Sequence, residues 1–521
     1  MPSKIIKSVS VIGAMTLLSR VTGLVRDVLF ANILGDKAVA DVFLVAFRLP
    51  NFFRRIFAEG AFSAAFVPVF TEYRMQHNES HCRHFLELML GRFGLVLFVF
   101  STLGVAFAPE LIRVLAPGFL SSPEQYELTV RASRITFSYL FFISLVAASA
   151  GMLNTCGRFA VPAATPVLLN ICLILSVFLL VPLIDESPIA LSLGVLIAGV
   201  IQLAFQIPFL RRERLLVKPR VVSKPGDEIG HQGVKKVFGL IVPAIFGVSV
   251  AQINVLINTL LASFLAAGSI SWLYYSDRLM EFPVGVFGIA LSTAILPELS
   301  KKHTNKSAQE FSDTLDWATR WVVLICFPAT IGLIVLSEVM ITTIYFHGNF
   351  TENGVTMSAR SLVAFSIGLT GIVLVKVWAP GFYARQNTRF PVKVGAIAVA
   401  VNIVMSLALF TPLKHVGLAL ATSIAAFVNA GLLYHGLRKE KVFIPLRDWW
   451  VFFVKIAVCS AAMGFAIAWL MADPGEWLVM PIWQRVLQLS GLIFAGGAVY
   501  LVSLFLLGVN LKSLWQSKGG A

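Results

Sequence analysis

Between Ser19 and Gly60 the chain reads SRVTGLVRDVLFANILGDKAVADVFLVAFRLPNFFRRIFAEG, with Arg20, Arg26, Asp27, Asp41, Arg48, Arg54, Arg55 and Glu59 set in apolar surroundings. A charge at the centre of a membrane helix costs about 2.5–3.5 kcal/mol on insertion scales, so such side chains face a partner or a watery cavity. Arg20 lies about twelve residues into its apolar run, hence about 18 Å deep at 1.5 Å per residue, beyond snorkelling reach. Arg26 follows six residues on and joins the same cavity if the helix kinks at Gly23. Asp41, Arg48, Arg55 and Glu59 recur at intervals of seven, seven and four, which is one helix face. Arg54 projects about 100° round from Arg55, so one of the pair faces the chamber and the other a neighbouring helix or headgroups. Further on, Asp277 and Glu281 share a face beside Arg278, and Lys376 adds another cation. Seven such cations (Arg20, Arg26, Arg48, Arg54, Arg55, Arg278 and Lys376) stand against five acids. The surplus asks for an anion, and the planar, always-charged guanidinium fork suits phosphate. The plainer reading is structural: buried ion pairs such as Asp41–Arg48 or Arg278–Glu281 that fix helix register.

The elements that must position these groups follow from composition. The 521 residues are 57% hydrophobic and only 13% charged, where a soluble protein carries about a quarter. The apolar runs are long and continuous, which excludes a membrane β-barrel and gives a polytopic all-α membrane protein. Fourteen spans are expected, at about 8–34, 38–72, 85–115, 127–154, 159–183, 188–210, 236–265, 270–299, 313–345, 355–384, 390–412, 416–437, 448–471 and 483–508. The net charge of +15 resembles a nucleic-acid signal, but most Lys and Arg sit in short loops. Arg211, Arg212, Arg214, Lys218, Arg220, Lys224, Lys235 and Lys236 follow span six. Lys301, Lys302 and Lys306 follow span eight, Arg385 and Arg389 span ten, and Arg438, Lys439, Lys441 and Arg447 span twelve. The opposite loops hold Asp185, Glu186, Glu352, Asp473 and Glu476. The positive-inside rule then puts the even-numbered connections and both termini in the cytoplasm. The N-terminal apolar run is read as a retained first span, because Arg20 interrupts it and no cleavage site precedes it.

An internal repeat organises the spans. FRLPNF at 47–52 answers DRLMEF at 277–282, FSAAFVPVF at 62–70 answers LSTAILPEL at 291–299, and GMLNTCGRFAVP at 151–162 answers GFYARQNTRFPV at 381–392. Each offset is about 230 residues, so two parallel six-helix halves are expected, with spans thirteen and fourteen as an addition. The expected divisions are a first lobe at 1–212, a basic loop at 213–235, a second lobe at 236–437, and the last two spans with a tail at 438–521. Pro50, Pro243, Pro283, Pro328, Pro380, Gly23 and Gly60 interrupt spans, a pattern common near transporter repeat interfaces. Other motifs are bland. The five cysteines have no framework spacing, and His77, His81, Cys82 and His84 lie in a polar loop. No GxxxxGK[ST] phosphate loop and no nucleophile–base constellation occurs, so a transporter that is not an enzyme is expected, with no cofactor, no metal and no nucleic-acid partner.

The stretches SRVTGLVRD, DVFLVAFRLPNFFRRIFAEGAFSAAFVP and SWLYYSDRLMEFPVGVFGIAL resemble the MurJ (MviN) lipid II flippases of the multidrug/oligosaccharidyl-lipid/polysaccharide exporter superfamily. The resemblance runs from Ser8 to about Leu507. It implies a V-shaped pair of lobes, with spans thirteen and fourteen forming a groove for a polyprenyl tail. The implied substrate is lipid II, an undecaprenyl-pyrophosphate-linked disaccharide-pentapeptide, flipped by alternating access in the bacterial inner membrane. Membrane lipids and cell-wall synthesis proteins are the further partners it suggests. The family's cavity arginines fall on Arg20, Arg26, Arg54 and Arg278, and its cavity acids on Asp41, Glu59 and Glu281. Spans seven, eleven and twelve contain no Asp or Glu, so the carboxylate sodium site of some members is not expected there. Two rivals make different demands. A drug or cation exporter of the same superfamily needs an acid-rich, aromatic-lined cavity, and a cell-wall scaffold needs its charges only for helix pairing.

Overall fold

A computed structural model describes residues 2–56, 62–223, 228–305, 307–446 and 448–509. Glu59, Lys224, Lys306 and Arg447 therefore lie outside the described residues. Every regular element among those described is helical, as a chain in hydrocarbon must be if its backbone groups are to bond within their own segment. Ten helical stretches among the described residues are long and apolar enough to cross a membrane. Within the described residues the fourteen expected spans fall on helices, several of them broken by proline or a tight turn.

The chain divides into two units, 1–268 and 269–521. The first contains α1 (Pro2–Leu34), α2 (Ala38–Phe53), α3 (Phe62–Gln76), α4 (Glu79–Ala106), α5 (Ala108–Leu115), α6 (Pro123–Thr155), α7 (Ala160–Leu179), α8 (Ser187–Arg212) and α9 (Glu228–Ser263). The span at 236–265 thus packs with the first unit, through α9 against α3 and α4. Helix α6 is the hub: α2, α3, α4 and α8 all lie against it. Its neighbours supply a phenylalanine-rich core in which Phe62, Phe66, Phe70, Phe85 and Phe93 stack. Helix α1 is more peripheral, lying mainly against α7. The basic connection after α8 is strapped across α4. There the Arg220 N–H donates to the Glu87 carbonyl at 2.8 Å, and Arg92 Nε donates to the Val221 carbonyl at 3.0 Å. Gly91 permits this approach, because a Cβ there would collide with the Arg220 backbone.

The second unit contains α10 (Ser269–Pro283), α11 (Ile289–Thr304), α12 (Ala308–Val335), α13 (Ser337–Tyr345), α14 (Glu352–Ile367), α15 (Leu369–Tyr383), α16 (Arg389–Lys439), α17 (Trp449–Leu470), α18 (Pro474–Val479) and α19 (Ile482–Leu506). Helix α16 carries spans eleven and twelve. Its two halves meet at Lys414, whose φ of 51° breaks the helix two residues after Pro412. Helices α17 and α19 pack on each other, and α17 packs on α12. Their shared core of Val323, Leu336, Ile456, Met463, Trp477 and Tyr500 fastens the last two spans to the unit.

Candidate functional site

On α1, Ser19, Thr22, Gly23 and Arg26 fall at i, i+3, i+4 and i+7, one stripe of the helix. That stripe meets Asn170, a buried residue of α7. Asn170 Nδ2 donates to the Ser19 carbonyl at 2.9 Å and to Thr22 Oγ1 at 3.1 Å. Its Oδ1 accepts from an Arg26 terminal nitrogen at 2.9 Å. Arg26 also bonds Asp27 Oδ1 through Nε at 3.0 Å and a terminal nitrogen at 2.7 Å, and its guanidinium lies 5.5 Å from the centre of the Phe30 ring. Arg26 is thus buried and held by a carboxylate and a carboxamide, which meets the desolvation cost of its charge. Arg20, half-buried, makes no hydrogen bond or ion pair with any described residue.

On α2, Asp41 is 2% exposed and accepts the backbone N–H of Gly268, in the turn after α9, at 2.7 Å. Pro50 interrupts the same helix, and the chain passes into a π-helical turn at 54–56. A π-turn inserts an extra residue and resets which side chains share a face, and such turns are frequent at functional sites. The adjacent arginines in it go to different partners. Arg55 donates to Gln252 Oε1 on α9 at 3.2 Å, whereas Arg54 reaches back to Asn51 Oδ1 of its own helix at 3.0 Å.

In the second unit, Arg278 and Glu281 on α10 form an ion pair of 3.0 Å at i, i+3, and both side chains stay partly exposed. The Arg278 guanidinium stands 4.9 Å from the Tyr274 ring centre. Pro283 ends α10, and a π-helical segment, Val284–Gly288, joins it to α11. Lys376 of α15 packs its stem against Gly288. The sequence repeat therefore has a backbone counterpart: the π-turns at 54–56 and 284–288 begin 230 residues apart, as do Arg48 and Arg278. Arg20, Arg26, Asp41 and Arg54 lie in the first unit and Arg278 and Glu281 in the second.

Charge-based reading passed over three features. Asn170 is neutral and sits in an apolar run, so nothing in its type or spacing draws attention. The second is Arg320 on α12, whose Nε bonds Asp316 Oδ2 at 2.7 Å while its terminal nitrogens bond Asp448 at 2.5 and 3.0 Å. Asp316 Oδ1 accepts from Trp449 Nε1 at 2.5 Å, and Trp449 and Phe452 flank the guanidinium. The i, i+4 spacing of Asp316 and Arg320 was the available signal. The third is Arg485 on α19, buried, which donates to the carbonyls of Thr342, Phe346, Leu478 and Met480 at 2.9–3.3 Å. Among the described residues no three His, Cys, Asp or Glu side chains gather closely enough to hold an ion, and His81 instead pairs with Asn78.

Comparison with known proteins supplies a family. The family model for the lipid II flippase MurJ matches residues 30–487. A probable lipid II flippase MurJ of Vibrio cholerae serotype O1 is 44% identical over 518 residues, covering 98% of both chains. A lipid II flippase MurJ of Burkholderia cenocepacia is 38% identical over 501 residues, covering 95% of this chain and 96% of its own. Among solved structures, a lipid II flippase MurJ in an inward closed conformation superposes with a TM-score of 0.80 at 28% identity, over 96% of this chain and 99% of that one. An inward-facing multidrug-resistance MATE transporter of the MOP superfamily gives a TM-score of 0.67 at 12% identity, covering 81% of this chain and 95% of that one, a likeness of fold.

Proposed function

The chain belongs to the MurJ family of lipid II flippases, and from that premise we propose how its own charged residues move the substrate. It is a multi-pass membrane transporter of lipid II, carrying the pyrophosphate-linked peptidoglycan precursor from the cytoplasmic to the periplasmic leaflet of the inner membrane, with both termini cytoplasmic. A cationic cavity binds the headgroup. Arg20, Arg54 and Arg278 supply guanidinium groups to the pyrophosphate oxygens, and Arg26, already fixed by Asp27 and Asn170, adds its charge at a set place. Asp41, Glu59 and Glu281 are the acids to which these cations turn when the headgroup leaves, so that no naked cation is closed inside a low-dielectric space. The polyprenyl tail stays in lipid beside α17 and α19. Access alternates between the two leaflets, and outward movement of an anion across an inside-negative membrane is favoured by about 2.3 kcal/mol per charge per 100 mV.

One observation carries this reading. Arg20 sits at mid-span with no partner among the described residues, while the fully buried arginines of the same chain are saturated by carboxylates or carbonyls. A guanidinium left unpaired at that depth fits a ligand that comes and goes. The test is depletion of the protein followed by assay of the leaflet on which lipid II accumulates. Build-up on the cytoplasmic leaflet is the expected result. Unchanged distribution, or normal growth of an Arg20→Glu strain, supports the scaffold reading instead. Binding of organic cations in place of pyrophosphate lipids supports the exporter.

A further inference from the structure

Asn170 holds more of the proposed binding machinery than any charged residue does. From one position on α7 it grips α1 at three points: the Ser19 carbonyl, the Thr22 hydroxyl and the Arg26 guanidinium. Those points span seven residues, two turns of helix, and Arg20 lies between them. Toward its C-terminal end α1 is seated by packing, with Phe30, Ala31 and Leu34 buried and Phe30 edge-on to Phe43, whereas around Arg20 the Asn170 contacts are what grips the helix. Its flanks at Leu17, Leu18, Val21, Leu24 and Val25 are exposed apolar side chains, which slide freely against hydrocarbon. A carboxamide that donates on one side and accepts on the other has a single orientation that satisfies all three partners, so it sets rotation and height together. Arg20 projects about 100° round from Ser19 and so lies outside the gripped stripe. Its direction is therefore fixed indirectly, by the clasp that holds its neighbours.

We infer that Asn170 is a positioning residue for substrate binding: by clasping Ser19, Thr22 and Arg26 it holds α1 in the rotation that presents Arg20 to the pyrophosphate of the lipid. The inference rests on the flippase reading above and deepens it. The carboxamide is also better suited than a carboxylate. An aspartate would still attract Arg26 but would turn an oxygen toward the Ser19 carbonyl, and two acceptors cannot share that contact without a proton between them.

The experiment uses the full-length protein in lipid nanodiscs and measures binding of lipid II together with the melting temperature. Asn170→Leu removes all three contacts and is expected to weaken lipid II binding about tenfold. Asn170→Asp keeps the Arg26 contact and is expected to fall between Asn170→Leu and the wild type. A double-mutant cycle with Arg20→Ala separates positioning from general loosening. If Asn170 acts by aiming Arg20, then Asn170→Leu costs at most about twofold more once Arg20 is already alanine. A full tenfold loss in the Arg20→Ala background, or wild-type affinity in Asn170→Leu, overturns the inference. Should Asn170→Leu fail to fold, the same cycle is run with Thr22→Val, which removes one contact and is expected to give a smaller loss that likewise disappears in Arg20→Ala. The wild-type measurement keeps the two readings apart. If the wild type binds no lipid II, the flippase reading fails, whereas wild-type binding with an insensitive Asn170 sinks the positioning role alone.

Discussion

The second unit of this chain buries two arginines whose hydrogen bonds are taken, whereas the first carries beside the buried Arg26 a half-buried Arg20 with no such partner among the described residues. In the second unit Arg320 and Arg485 are saturated. Arg320 takes two carboxylates and is flanked by Trp449 and Phe452, and Arg485 takes four carbonyls. Each links one of the last two spans to the rest of that unit: Arg320 joins α12 to the start of α17, and Arg485 joins α19 to the ends of α13 and α18. In the first unit, Arg26 is held by Asp27 and Asn170, while Arg20, two turns earlier, has no partner among the described residues. All of these arginines lie on helices of the expected membrane spans. Satisfaction separates Arg320 and Arg485 from Arg20, because a cation whose hydrogen bonds are taken offers a ligand its charge but no free donor.

The comparison breaks first at Arg320, where the largest effect is expected. Arg320→Ala leaves Asp316 buried at 2% exposure without its cation, and breaking a buried pair from one side costs about 3–5 kcal/mol. A marked fall in melting temperature and in membrane abundance is the expected outcome. An Arg320→Ala protein that stays stable but loses lipid II binding would put Arg320 in the wrong class.

Arg20→Ala should show the reverse pattern. The melting temperature stays within a few degrees, because no hydrogen bond or ion pair to a described residue is lost, and lipid II binding falls. A charge-assisted hydrogen bond is worth about 1.5–3 kcal/mol, or about 10–150-fold in affinity. Arg20→Lys keeps the charge but not the fork and should recover only part of the loss. The two measurements to compare are thermal stability and binding, made on one preparation.

How far these assignments were legible in the sequence follows the same division. The spans were legible because hydrocarbon allows the backbone few choices, and the repeat was legible from FRLPNF and DRLMEF, whose π-turns now stand 230 residues apart. The depth of Arg20 could be counted, and the Arg278–Glu281 pair was foreseeable from i, i+3 spacing. What could not be read was which cation was already taken. Asp448 and Asn170 lie 128 and 144 residues from the arginines they bind, and no periodicity links positions that far apart. Spacing set Arg54 and Arg55 on different sides but not which one meets α9; Arg55 does, through Gln252.

Arg485 sharpens the comparison at a smaller magnitude. Its partners are carbonyls at the C-terminal ends of α13 and α18, where a cation is favoured by the helix dipoles as well as by hydrogen bonding. Arg485→Met keeps most of the stem packing and removes the charge. It is expected to cost about 1–2 kcal/mol of stability, with lipid II affinity changed less than by Arg20→Ala. The measurement is a thermal melt beside a binding isotherm, and a binding loss exceeding the stability loss would break the classification.

The smallest effect lies next to Arg485, in the loop between α13 and α14. Burial pushes the His347 imidazole below its usual range and the nearby Arg485 cation adds to this, while the bond to the Thr343 carbonyl opposes it. The folded protein thus holds His347 neutral at a pH where the unfolded chain, with a pKa of about 6.5, begins to take up a proton. The sign follows by linkage. The stabilisation is complete above the unfolded value and is lost as pH falls through the lower folded value, because the unfolded state then binds more protons. The melting temperature should therefore drop slightly between about pH 7.5 and 5.5, and His347→Gln, which cannot titrate, should flatten that part of the profile. Arg485→Met should also reduce the slope, by removing one of the two forces that keep the ring neutral. A steeper slope in Arg485→Met would mean that the ring is held neutral more firmly without the arginine, so that Arg485 does not oppose protonation of His347.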